Sequence, residues 1–289
     1  MSQLSIFTQL SEVAVTTLAN ALLEARQAID TVDARVLLQH VLKVDRAYLI
    51  AHGQGALPEY GLRQFVELVK RRQQGEPVAY LVGQREFYGL TFKVTPAVLI
   101  PRPETELLVE QALARLSEHY PTRVLDLGTG SGAIAVAIAK LRPLATIVAV
   151  DRSAEALAIA HENAVTLLRD RASAIDFRKS NWFSAIGSDR FNVIVSNPPY
   201  VADNDTHLSE GDVRFEPRMA LAGGPRGLDF LEHIARNAAP RLLPGGWLLL
   251  EQGYDQRDAC KTLLVENGYC DVQGFTDLAG IPRMSAGRV

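Results

Sequence analysis

The stretch VIVSNPPYVAD, residues 193–203, sets a polar amide and two rigid residues directly after a run of β-branched side chains. Neither Pro198 nor Pro199 can give an N–H to a strand ladder, so the strand must end at Asn197. Proline fixes its own φ and biases the preceding residue toward extended backbone, which holds Asn197 and Pro198 open. The resulting corner offers two convergent acceptors, the side-chain oxygen of Asn197 and the main-chain carbonyl of Pro198. A planar –NH2 group has one N–H for each of them. The nitrogen of an amide or aryl amine is a weak nucleophile because its lone pair is delocalised. Gripping both N–H bonds aims that nitrogen and stabilises positive charge growing on it. An electrophilic methyl group placed opposite would be attacked in line, with orientation supplying most of the acceleration.

The segment VLDLGTGSGAIAVAIA supplies a second constellation, with Gly128, Gly130 and Gly132 between an apolar strand and a helix. Glycines there permit a tight turn and a close approach of ligand to backbone at the carboxyl end of a strand. The next strand ends in Asp151, 23 residues after Gly128, where a carboxylate can accept from both ribose hydroxyls. Loop and acid together read as a nucleoside site. With Ala133 in the sixth position the loop also fits the relaxed dinucleotide fingerprint, so a dehydrogenase is a rival on these residues alone. Nicotinamide chemistry has no use for the Asn-Pro-Pro-Tyr corner, whereas S-adenosylmethionine chemistry does.

Regular elements must position these groups. From residue 104 onward helix and strand patterns alternate, with strands expected at 123–127, 146–150, 175–179, 192–196 and 247–251. Helices are expected at 104–118, 132–141, 153–169, 228–241 and 255–267. The strands are apolar without alternation, as strands buried on both faces should be. This predicts an α/β fold with a doubly wound sheet and crossover helices. The tail from Tyr269 supplies two final antiparallel strands. Residues 1–80 differ: LSEVAVTTLANALLEARQAI, DARVLLQHVLKV and EYGLRQFVELVKRRQQG carry apolar positions at helical spacing. Asp33 and Gly75 read as a start cap and an end cap, and Lys70-Arg71-Arg72 as a solvated last turn. Between the two parts, residues 81–103 suggest a β-hairpin and an extended linker. Pro103 with Glu104 and Glu106 makes a favourable helix opening, or else part of a site.

The totals speak against several function classes. A formal net charge of -3 gives no signature of a protein that grips a phosphate backbone. The first 85 residues, with nine Lys/Arg and eight Asp/Glu, are nearly neutral. Cys260 and Cys270 are too few for a disulfide framework and read as reduced thiols. The histidines lack ligand spacing, so no metal is expected. The longest apolar run, AIAVAIA at 133–139, is far short of a membrane span. The opening MSQLSIFTQLSEVA lacks the basic flank and apolar core of a signal peptide. A cytoplasmic protein is expected.

Taken together, these segments make a chain that resembles the peptide chain release factor glutamine methyltransferases, the PrmC/HemK family. The resemblance is carried by PVAYLVGQREFYGLTFKVTPAVLIPRPETE, DLGTGSGAIA, SNPPY and LLLEQGYDQ, and spans nearly the whole chain. The Asn-Pro-Pro-Tyr tetrad is shared with adenine methyltransferases, while the segment Pro77 to Glu106 is far more family-specific. The resemblance implies a seven-stranded S-adenosylmethionine-dependent methyltransferase fold over 104–289, a hairpin linker over 81–103 and a helical substrate-recognition domain over 1–80. It implies methyl transfer to the side-chain nitrogen of the glutamine in the Gly-Gly-Gln tip of class 1 release factors, with S-adenosylhomocysteine as product. It further implies that Gly128, Thr129, Gly130, Ser131 and Gly132 lie along the methionine part of the cofactor. Asp151 would hold the ribose and Trp182 would pack on the adenine. Asn197 would serve cofactor and substrate, and Pro198, Pro199 and Tyr200 would complete the glutamine pocket with Phe87 as a wall. For Phe87 and Tyr88, plain hairpin packing is the alternative. Relatives usually carry an acid where this chain has Asn181; asparagine can still accept from an adenine amine, without charge. Glu251 ends a strand near the cleft, as a cap or as a working group. A DNA or RNA adenine N6-methyltransferase is the alternative function. It would need base flipping and a basic track that the composition does not offer. The chain is expected to act as a monomer without membrane or direct nucleic-acid contact.

Overall fold

The computed structural model describes residues 16–289, and the chain divides into two compact units between Gly83 and Gln84. The first unit is helical, with α1 (Leu18–Ala25), α2 (Thr31–Leu42), α3 (Arg46–Ala51), α4 (Glu59–Gln73) and α5 (Val78–Val82). Leu37, Leu38, Phe65 and Val69 are buried from α2 and α4 and form its core with Leu18 and Leu49. The cap of α2 is Asp30, whose Oδ1 accepts from Val32 N at 2.7 Å, rather than Asp33. Asp33 lies one turn inside and accepts from Arg72 Nε at 2.6 Å. Arg71 pairs with Glu76, so two residues of the basic run are committed to ion pairs, while Lys70 is exposed. Gly75, at a φ of +95°, does close α4. The part of the first expected helix before residue 16 lies outside the described residues. Helices α3 and α5 have no counterpart among the expected elements; each is under two turns long, too short to display a period.

The second unit opens with a hairpin, β1 (Gln84–Phe87) and β2 (Leu90–Lys93), joined by Tyr88-Gly89. A 3-10 turn at Pro103–Thr105 then leads into α6 (Glu106–Leu113). Glu106 works as a structural brace, its Oε1 accepting from Tyr88 N at 2.8 Å. The remaining elements are β3 (Thr122–Leu127), α7 (Ala133–Leu141), β4 (Ala145–Asp151), α8 (Ala154–Leu168) and β5 (Ile175–Lys179). They are followed by β6 (Phe191–Ser196), α9 (Asp229–Ala238), β7 (Leu242–Glu251), α10 (Arg257–Glu266), β8 (Cys270–Thr276) and β9 (Pro282–Arg288). One sheet has the order β5-β4-β3-β6-β7-β9-β8, with β9 antiparallel to both neighbours and the rest parallel.

Val124, Leu125, Val193 and Ile194 are all fully buried, the non-alternating pattern of strands covered on both faces. One face packs on α6, α7 and α8 and on Phe87 and Phe92 of the hairpin. The other packs on α9 and α10 through Leu231, Ile234, Cys260 and Leu264. Strand order reverses between β3 and β6, the first pair to diverge. That switch point leaves a crevice at the carboxyl ends of the strands, where ligands of open α/β sheets bind. Among the described residues no helix is long and apolar enough to cross a membrane.

Candidate functional site

Both sequence constellations meet at that switch point, the glycine loop following β3 and the Asn-Pro-Pro-Tyr corner following β6. Asn197 Nδ2 donates to Thr105 Oγ1 at 3.1 Å, which turns the amide so that its oxygen is the end left for a ligand. The Pro198 carbonyl accepts no hydrogen bond from the described residues. The two acceptors required to grip an –NH2 group are therefore uncommitted. Beyond them the corner is tightly held. Tyr200 O accepts from Gln256 Nε2 at 2.9 Å, and Val201 N donates to Leu221 O at 2.9 Å. Gly223 and Gly227 press against the corner so closely that a Cβ on either would lie 2.5 Å from Pro199 O or 2.1 Å from Tyr200 O.

Across the cleft, Asp151 closes β4 and turns both oxygens toward backbone donors. Oδ2 accepts from Gly130 N and Oδ1 from Ser153 N, each at 2.9 Å. A carboxylate has about four acceptor sites, so two remain. Beneath it, Asp126 is fully buried, and desolvation pushes its carboxyl up to about 7. Its Oδ2 accepts from Thr129 Oγ1 at 2.7 Å. At the far wall Trp182, held at a φ of +53°, meets Phe230 with ring centroids 5.2 Å apart. Both rings line the cleft together with Asn181, Val98 and Met219. The cleft holds about 760 Å³ of empty space including its open mouth.

Comparison with known proteins identifies the family. Residues 14–83 match the family described as PrmC N-terminal domain, and residues 103–213 match the methyltransferase small domain. A release factor glutamine methyltransferase of Salmonella typhimurium is 48% identical over 256 residues, covering 89% of this chain and 91% of the relative. One from Xylella fastidiosa is 49% identical over 264 residues, covering 91% and 95%. The chain belongs to the release factor glutamine methyltransferases. A solved methyltransferase from Pyrococcus furiosus, 17% identical, superposes with a TM-score of 0.52 over 76% of this chain and 96% of that one, and shares the fold.

Not every expected site residue of this glutamine methyltransferase faces the cleft. Gly128, Gly130, Asp151, Trp182, Asn197 and Pro199 line it. Thr129, Ser131 and Gly132 do not. The Thr129 hydroxyl is spent on Asp126, the Ser131 carbonyl accepts from Asn163 Nδ2, and a Cβ on Gly132 would lie 3.1 Å from Ala160 of α8. These three build the loop from behind. Phe87 is 1% exposed, edge-on to Phe92 in the core, so it packs the hairpin and does not wall a pocket. Pro198 is buried and does not line the cleft. The Tyr200 ring packs under the corner and its hydroxyl donates to Glu251 Oε1 at 3.3 Å. Phe230, Thr105 and the strap of Val98 and Met219 escape sequence reasoning. The phenylalanine and methionine sit in amphipathic or irregular segments and carry no motif. Thr105 lies inside the segment IPRPETE, where its two acidic neighbours carry the stronger signal.

Proposed function

We propose that this chain transfers a methyl group from S-adenosylmethionine to the side-chain amide nitrogen of the glutamine in the Gly-Gly-Gln motif of class 1 peptide chain release factors. The observation that carries the reading is the oriented Asn197 amide beside the uncommitted Pro198 carbonyl. The activity for which the relatives are named supports the substrate class. The cleft fits the cofactor on its own chemistry. Gly128 and Gly130 leave backbone open to a ligand chain, Asp151 keeps lone pairs for ribose hydroxyls, and Trp182 with Phe230 frames an apolar slot for a flat base. Asn181 offers that base an uncharged acceptor. Bound S-adenosylmethionine supplies an electrophilic methyl group and a neutral sulfur leaving group.

The chain's own residues do the rest. Asn197 Oδ1 and Pro198 O each accept one N–H of the substrate amide, which fixes the nitrogen along one line. As that nitrogen gains positive charge, the same two oxygens stabilise it, and they are in place beforehand. The proton passes to water after transfer. The helical unit recognises the release factor; the exposed Ile50 and Tyr60, each 72% accessible, support a contact role. The chain acts as a cytoplasmic monomer with no metal and no direct nucleic-acid contact.

Phe230→Ala is expected to weaken S-adenosylmethionine binding by about tenfold through lost stacking area, with kcat at saturation nearly unchanged; calorimetric titration and steady-state rates check both. Removal of residues 1–83 is expected to raise KM for the release factor by on the order of 10²-fold, the loss of a small interface. The cofactor Kd should stay within about twofold. Equal losses for both ligands would show that the unit only supports folding. The class of substrate is tested with methyl-labelled S-adenosylmethionine and, in separate tubes, a class 1 release factor, duplex DNA and ribosomal RNA. Label in the release factor alone is expected, and label confined to a nucleic acid would overturn the reading.

A further inference from the structure

We propose that Thr105 and Glu251 are positioning residues that decide which end of the Asn197 amide faces the substrate. The proposal rests on the glutamine methyltransferase reading above. The two ends of an asparagine amide have nearly the same shape but opposite hydrogen-bond sense. Only the oxygen can accept from a substrate –NH2; a flipped Asn197 would set donors against donors. The end turned away from the cleft meets Thr105 Oγ1. A hydroxyl can either give to its neighbour or accept from it, so Thr105 fixes the amide only if its own proton is drawn elsewhere.

Glu251, at the end of β7, draws it. The Thr105 hydroxyl is near enough to lower that carboxyl's proton affinity, without a full hydrogen bond to it. Oε1 accepts from the Tyr200 hydroxyl, and Oε2 is buried without a partner of full hydrogen-bond geometry, leaving it open to Thr105. Thr105 is 4% and Glu251 2% exposed, so bulk water is a poor substitute for either group. An ionised Glu251 can only accept. Thr105 must then donate to it, the Thr105 lone pairs face Asn197 Nδ2, and Asn197 Oδ1 is presented to the cleft. A protonated Glu251 can donate to Thr105 Oγ1. That frees the Thr105 proton to bond Asn197 Oδ1 and lets the amide turn over.

The far end of the relay is thus a titratable group outside the cleft. It is faced by Tyr200 from the corner, Glu104 from the turn before α6 and Arg283 from β9. Burial dominates these influences and pushes the Glu251 carboxyl up to about 7, with Glu104 raising and Arg283 lowering it. Because the ionised form is the orienting one, kcat should fall as pH drops through that value.

Thr105→Val keeps the shape and removes the hydroxyl. It is expected to lower kcat by about 30-fold or more, with the cofactor Kd within about twofold, and Thr105→Ser should recover to within about threefold of wild type. Glu251→Gln should lose the acid limb of the kcat profile. A second readout needs no substrate: the side-chain amide signals of Asn197 in nitrogen-15 spectra should titrate in the wild type and be pH-independent in Glu251→Gln. A Thr105→Val enzyme within threefold of wild-type kcat, or an Asn197 amide that titrates unchanged without Glu251, would overturn the relay. An amide that titrates as expected in a protein that methylates no glutamine would leave the relay standing and sink the functional reading instead.

Discussion

Asn197→Ala is expected to lower kcat by on the order of 10³-fold, the cost of losing a preorganised group at the reacting atom. S-adenosylmethionine should still bind within about tenfold of wild type, a loss of at most ~1.4 kcal/mol. The asymmetry follows from the geometry. Asn197 lines the cleft with its oxygen uncommitted, while Gly130, Asp151, Trp182 and Phe230, to which the proposed reading gives the cofactor, line it as separate residues. Truncation removes one of the two acceptors that aim the substrate nitrogen and leaves Thr105 Oγ1 without its donor. Single-turnover rates with calorimetric titration separate the two effects. A rate near that of the wild type would mean that the substrate amide is held elsewhere.

The second large effect is expected at a residue that touches no ligand. Gly227 sits at a φ of +69°, and a Cβ there would lie 2.1 Å from Tyr200 O and 2.8 Å from Gln256 Nε2. Both atoms are fixed, since Gln256 Nε2 donates to that same carbonyl at 2.9 Å. Gly227→Ala must therefore push the corner aside. We expect a stability loss of about 3 kcal/mol, from overpacking and left-handed strain together. A corner displaced by about 1 Å would also cost transfer on the order of 10²-fold. Gly187 is the control: it has a φ of +59°, and a Cβ added there would meet nothing within 4 Å. Gly187→Ala should cost only about 1 kcal/mol and leave kcat unchanged. Urea midpoints and steady-state rates measure both variants. Equal rates for the two would show that the corner tolerates displacement.

What can be read in the sequence is local. Asn197-Pro198-Pro199-Tyr200 announces a strand end because proline chemistry acts on adjacent residues, and Gly128 with Asp151 announces a shared cleft because β3 and β4 are neighbours. The parallel sheet is legible for the same reason, since Val124-Leu125 and Val193-Ile194 show burial on both faces within one strand. Strand β7 begins at Leu242, five residues before its expected start, because Leu242 pairs with Phe191 ahead of the Pro244-Gly245-Gly246 break. Such a break reads as a boundary when the partner strand is unknown.

The contacts that escape such reading act across long separations. Thr105 reaches Asn197 over 92 positions, and Tyr200 reaches Glu251 over 51. No spacing rule connects residues that far apart. Phe87 departs from expectation for the opposite reason. An aromatic beside a functional segment suggests a pocket wall, but the hairpin turn at Tyr88-Gly89 points it at Phe92 in the core. The cap of α2 falls on Asp30 because Asp30-Thr31-Val32-Asp33 offers two acids at one helix start, and Arg72 in α4 claims Asp33.

All of the proposed chemistry depends on the corner after β6 presenting the side-chain nitrogen of a glutamine for methylation. Fragmentation mass spectrometry of a class 1 release factor, incubated with the purified chain and S-adenosylmethionine, tests that directly. We expect one added methyl group on the side-chain amide of the Gly-Gly-Gln glutamine, absent when Asn197→Ala replaces the wild-type chain. A methyl group on any other atom of the release factor, or on the glutamine at an undiminished rate with Asn197→Ala, would show that the corner does not hold the reacting nitrogen.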